Sequence, residues 1–123
     1  MDHSKILGRI RVDRLKISAF HGVFPQERLI GNEFVVSVEI LYPISNAAVN
    51  DDINGTVNYA DVVEIIRDEM SRPSQLLENV AWRIARSLRA NWPDIVEGTV
   101  TVAKPTPPIP STQLDSVSVI VNI

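Results

Sequence analysis

The sequence predicts an α+β fold: a four-stranded antiparallel sheet with two helices on one face, in the order β-β-α-α-β-β. Three observations carry this expectation. Residues 9–20, 33–43, 98–104 and 115–123 alternate apolar and polar side chains with the period of a strand. Residues 58–70 and 74–91 repeat apolar side chains at helical spacing. The length of 123 residues suits one domain, spanning 1–123, with a single core.

The first strand contains Ile10 and Val12, then Leu15, Ile17 and Ala19. The parity changes near Asp13, as a β-bulge would make it. The stretch 21–32, HGVFPQERLIGN, holds Gly, Pro and Asn and reads as a structured loop. In the second strand Phe34, Val36, Val38 and Ile40 share a face, while Val35, Ser37, Glu39 and Leu41 form the other. Residues 44–56 read as a polar connection. Asn58 can cap the first helix, with Asp61 at its third position. Tyr59, Val62, Val63, Ile66 and Met70 form that helix's stripe. The second helix reads as capped by Ser74, with Leu77, Val80, Ala81, Ile84 and Leu88 as its stripe. In the third strand Val100, Val102 and Lys104 point one way. In the fourth, Val117, Val119 and Val121 do.

Two helices cover one sheet face and leave Val35, Ala103, Leu41 and Ile120 on the other. The outer strands also keep unpaired edges. Both features point to a homo-oligomer whose subunits join edge to edge into a closed barrel.

Composition narrows the function. Apolar residues make up 45% and charged residues 22%, and the net charge is −3. Lys and Arg are scattered, which argues against nucleic acid or an anionic membrane and favours a small ligand. With no cysteine, and histidine only at positions 3 and 21, a catalytic zinc lacks ligands. The expectation is no metal and no cofactor. No apolar run approaches a membrane span and no signal segment is evident, so the expected location is cytoplasmic.

Four short stretches carry candidate chemistry. His21 and Glu27 in AFHGVFPQER can be solvated hairpin residues, or can supply an acid–base group and orient a water. Tyr59 can be core, or can stack on a flat ring and offer its hydroxyl as a catalytic group. Glu78 can simply favour the positive end of a helix dipole. Beside the free N–H groups near residues 75–77, it can also grip a heterocycle that presents an amino group and a ring N–H. Lys104 can be a snorkelling surface lysine. It is followed at once by Pro105, Pro107, Pro108 and Pro110, which restrict the backbone and aim the strand end.

Together and in order, HGVFPQER (21–28), TVNYADV (56–62), LLENVAWRIA (76–85) and KPTPPIP (104–110) resemble the dihydroneopterin aldolase family. The resemblance covers nearly the whole chain. It implies the tunnelling fold, in which four subunits close a barrel and two rings stack into an octamer, with pockets between subunits. It implies retro-aldol cleavage of 7,8-dihydroneopterin in folate biosynthesis by acid–base catalysis, without a metal or a Schiff base. Matched residue by residue, Lys104 becomes the catalytic lysine and Glu27 its carboxylate partner. Tyr59 becomes the ring-stacking tyrosine from a neighbouring subunit, and Glu78 the pterin anchor. Main-chain groups around Val57 and Leu77, with His21, complete the pterin site. Phe20 stands where the family usually has tyrosine. The related dihydroneopterin triphosphate epimerase, and a non-catalytic pterin-binding module, are the alternatives.

Overall fold

The computed structural model describes residues 6–107 and 109–123; His3 and Pro108 lie outside this range. The elements run β1 (Leu7–Ala19), α1 (Pro25–Ile30), β2 (Asn32–Pro43), α2 (Ser45–Asn50), a 3-10 turn (Ile53–Gly55), α3 (Tyr59–Met70), α4 (Leu77–Asn91), β3 (Glu97–Lys104) and β4 (Val117–Asn122). The strands form one antiparallel sheet in the order β1-β2-β3-β4.

The bulge lies where the change of parity places it. Val12 pairs with Val38 and Leu15 with Val36, so Asp13 and Arg14 together oppose Ser37. Arg14 adopts a left-handed φ of 57°, and its N–H donates to the Ser37 hydroxyl at 2.9 Å. This step keeps Ile10, Val12, Leu15 and Ile17 all packed against the same core.

That core fills the space between the sheet and the two long helices. Phe34, Val36, Val38, Ile40, Val100 and Val102 face Val62, Ile66, Met70, Val80, Ile84 and Leu88, all buried. α3 packs over β1, and α4 over β3 and β4. Asn58 caps α3 as expected, its side-chain oxygen accepting from the Ala60 N–H at 3.0 Å.

Several local expectations are corrected. The 21–32 loop contains the six-residue helix α1. Proline at its first position presets φ, and Glu27 at the third reaches back to the Phe24 N–H. The 44–56 connection holds α2 and the 3-10 turn, the latter capped by the Asp52 side chain. Ser74 does not cap the second helix. α4 begins at Leu77 after Leu76, so Glu78 lies within its first turn. Tyr59 is outside the α3 stripe and is 70% exposed, at the first helical position, just after the connection that follows the 3-10 turn.

The uncovered sheet face is less apolar than expected. Val35 is buried on it. Around Glu39 it carries Arg9 at 3.9 Å and Arg11 at 3.4 Å, and Arg9 also reaches Glu97 at 3.4 Å. Ile120 remains exposed. Among the described residues, β1 and β4 each keep one edge without a partner strand.

Leu88, fully buried where α4 meets the sheet, is expected to anchor this packing. Leu88→Ala should cost about 2–5 kcal/mol of stability in chemical denaturation. A loss well below ~1 kcal/mol would mean that α4 contributes little to the core.

Candidate active site

β3 ends at Lys104, on the same face as Val100 and Val102. Strand periodicity therefore turns its side chain inward, toward the helices. The residue is only 8% exposed, so it is not a snorkelling surface lysine. A buried ammonium needs a partner, and α1 supplies one. Lys104 Nζ lies 2.5 Å from Glu27 Oε2, with the two side chains 10% and 15% exposed. The same ammonium lies 5.8 Å from the centroid of the Phe34 ring.

The carboxylate is held at both oxygens, since Glu27 Oε1 accepts from the Phe24 N–H at 3.3 Å. Burial alone would raise the pKa of Glu27. The Lys104 and Phe24 hydrogen bonds, with the charges of Lys104 and Arg28, outweigh it and hold the carboxyl below its ordinary value. Arg28 ties the loop down by donating to the carbonyls of Gly22 and Val23 at 2.7 and 2.9 Å. Gly22 is required by close approach: a Cβ there would stand 2.4 Å from Glu27 Cβ.

His21 is 1% exposed and packs edge-on against Phe34, the ring centroids 5.3 Å apart. Its Nδ1 accepts from the Ser74 N–H at 3.0 Å, which makes Nε2 the protonated nitrogen of the neutral ring. Nε2 is buried without a hydrogen-bond partner among the described residues. The Met70 main chain favours the protonated ring without reaching hydrogen-bond geometry. Burial, and then the positive charges of Arg83 and Lys104, lower the pKa from 6.5 to about 4.

Lys104, Glu27, His21 and Gly22 thus form one cluster. Leu77 and Glu78 open α4, three and four residues beyond the Ser74 that grips the His21–Gly22 pair; Glu78 is exposed and Leu77 half-buried. Val57 is buried. Tyr59 starts α3, whereas Met70, beside His21, ends it. Twelve helical residues separate these ends by about 17 Å at 1.5 Å per residue. A single chain therefore holds Tyr59 and the Lys104 cluster at opposite ends of α3. Among the described residues, no group of three His, Cys, Asp or Glu is arranged to hold a metal ion.

Sequence reasoning missed a second buried ion pair. Arg83 Nη1 lies 2.9 Å from Glu69 Oε1, and the Ser87 hydroxyl donates to Glu69 Oε2 at 2.7 Å. The two partners sit on different helices, and only the i, i+4 spacing of Asn79 and Arg83 hints at the network.

The arrangement defines an α+β protein built around a shielded lysine–carboxylate pair, suited to moving protons on a small molecule. A family model described as dihydroneopterin aldolase, FolB, matches residues 10–122. The dihydroneopterin aldolase of Methylorubrum extorquens is 39% identical over 104 residues, covering 84% of this chain and 80% of that protein. The Bacillus subtilis dihydroneopterin aldolase is 32% identical over 105 residues, covering 85% and 88%. The chain belongs to the dihydroneopterin aldolase family. Solved structures share its fold. Escherichia coli dihydroneopterin aldolase in complex with neopterin superposes with a TM-score of 0.84 at 23% identity, covering 94% of this chain and 98% of that one. The Burkholderia thailendensis enzyme bound to guanine gives 0.77 at 19% identity, covering 98% and 93%.

The lowered pKa of His21 has a consequence for stability. Protonation is easier in the unfolded chain than in the folded one. The stabilisation is therefore complete above pH 6.5 and is lost as pH falls toward about 4. On the order of 3 kcal/mol is at stake, from ~1.36 kcal/mol per pKa unit. Denaturation of wild type and His21→Gln between pH 6.5 and 5 should show a flatter dependence in the variant. Parallel curves would assign the acid sensitivity to another group.

Proposed function

We propose that the protein cleaves 7,8-dihydroneopterin by a retro-aldol reaction, giving 6-hydroxymethyl-7,8-dihydropterin and glycolaldehyde in folate biosynthesis. The observation that carries this reading is the shielded Lys104–Glu27 pair at 2.5 Å, seated on the His21–Gly22 loop of a chain in this family.

The substrate carries its own electron sink. Removal of the 2′-hydroxyl proton lets the C1′–C2′ bond break, and its electron pair flows into the conjugated C6=N5 imine. N5 takes a proton, the resulting enamine is reprotonated at C1′, and N5 then releases its proton to restore the C6=N5 imine of the product. The protein has only to move protons. A water held by the Lys104–Glu27 pair serves the 2′-hydroxyl, and the ammonium stabilises developing oxyanion charge. Contact with Glu27 engages the Nζ that a Schiff base would need.

Glu78, in the first turn of α4, grips the amino group and ring N–H of the pterin, beside the free main-chain N–H groups near Leu77. Val57 main-chain groups and His21 complete the pocket. Tyr59 is exposed and lies at the far end of α3, so it stacks on the pterin of a neighbouring subunit. The chain acts as one domain over 1–123. Its β1 and β4 edges pair with those of its neighbours, closing a four-subunit barrel, and two such rings stack into an octamer.

Lys104→Ala should lower kcat by roughly 10²–10⁴, the span of a general acid–base group, with much smaller change in pterin affinity by fluorescence titration. Turnover near wild type would return Lys104 to a structural role. Glu78→Gln should show the opposite split. Its pterin Kd should weaken by about one to two orders of magnitude through loss of charge-assisted hydrogen bonds. An equal Kd would make Glu78 only a helix-end charge. Sharing of the pocket can be read by co-refolding inactive Tyr59→Ala with inactive Glu78→Ala. Mixed assemblies contain some intact pockets and should recover part of the activity, and no recovery would place each pocket within one chain.

A further inference from the structure

Arg83 uses its whole guanidinium. Nη1 donates to the Glu69 carbonyl at 2.8 Å and to Glu69 Oε1 at 2.9 Å. Nη2 donates to the Arg72 carbonyl and to Ser74 Oγ, each at 2.8 Å. Nε donates to Asn79 Oδ1 at 3.3 Å. The five acceptors match the five N–H donors of an arginine, which only a planar fork can present together. Four of the five belong to residues 69–74, the end of α3 and the connection into α4.

Ser74 passes this restraint on. Its hydroxyl accepts from Arg83 and donates to Asn79 Oδ1 at 2.7 Å, so the residue is fixed by its side chain. That leaves its main chain to hold the loop that follows β1. The Ser74 N–H donates to His21 Nδ1 at 3.0 Å, and the Ser74 carbonyl accepts from the Gly22 N–H at 2.9 Å. Gly22 sits against Glu27, and Glu27 holds Lys104. The same connection launches α4 and with it Glu78.

We infer that Arg83 is a positioning residue: through Ser74 it fixes the His21–Glu27 loop against the start of α4, and so sets the Lys104–Glu27 pair relative to the pterin anchor. The inference rests on the aldolase reading for its kinetic effect and on geometry for its structural one. Glu78 rides on α4 itself, whose packing does not need the clasp. Loosening Arg83 should therefore disturb proton transfer more than pterin binding.

The test compares Arg83→Lys, which keeps a charge for Glu69 but cannot reach five acceptors, with Ser74→Ala, which keeps the Arg83–Glu69 pair. Arg86→Lys, a turn away and stacked on Trp82 at 5.3 Å, is the control. Three quantities are read: kcat with dihydroneopterin, Kd for a pterin by fluorescence, and the ¹⁵N signals of the His21 ring. Arg83→Lys should lower kcat about 10- to 100-fold, as expected when catalytic groups shift by about an ångström. Its pterin Kd should weaken by a clearly smaller factor than kcat, and the His21 signals should move away from a pure Nε2–H tautomer. Ser74→Ala should show the same pattern, weaker, and decides the matter if Arg83→Lys fails to fold. Arg86→Lys should match wild type. Wild-type kcat and an unchanged tautomer in folded Arg83→Lys and Ser74→Ala would overturn the inference, as would a weakened Kd at unchanged kcat. Wild type that binds pterin without turnover would overturn the aldolase reading instead. The tautomer shift would then still support the clasp, and its absence would refute it.

Discussion

An ammonium buried at the end of a strand is the constraint around which the rest of this structure is arranged. Removing Lys104 from water is costly unless its charge is matched nearby, and removing one member of such a pair typically costs about 3–5 kcal/mol. Glu27 meets this requirement only because α1 stands where it does. α1 in turn depends on Pro25 at its start, on the Phe24 N–H, and on a residue without a side chain at Gly22. Geometry that would be dispensable on an ordinary surface loop becomes obligatory here.

The second buried pair, Glu69 with Arg83, works differently. It joins two helices that hydrophobic packing already holds, so its main effect is on the short connection between them. The two pairs meet through Ser74 and His21. His21 stays neutral because two cations and a dry setting surround it, and a neutral ring can accept a main-chain N–H as a cation could not. Burial and the neighbouring cations therefore keep the ring neutral, and the Ser74 N–H then fixes its tautomer.

Much of the fold was legible because it follows from periodicity. The strand alternation located all four strands, and the parity change near Asp13 located the bulge. Asn58 declared the start of α3 through its own side chain. Short elements were not legible: α1 and α2 span six residues each, too few to display a stripe. Ser74 looked like a helix cap because capping residues and loop-gripping residues share the same chemistry. In the site, the direction of Lys104 could be read from Val100 and Val102, but its contact with Glu27 spans 77 positions and no local pattern encodes it. Tyr59 looked like core because its spacing fits the stripe, while its place in the first helical turn left it exposed.

The charges on the uncovered sheet face also bear on how the chain avoids folding wrongly. Arg9, Arg11, Glu39 and Glu97 alternate along their strands with the apolar residues beneath the helices. A slip of β1 against β2 by one residue would carry guanidinium and carboxylate groups into a space filled by Phe34 and Ile40. Such a misaligned sheet could not be closed over by α3 and α4. The salt bridges themselves are exposed and contribute little to the stability of the correct structure. Their larger effect is to make every neighbouring alignment of the strands untenable, so selection against error, rather than added stability, is what this polar face supplies.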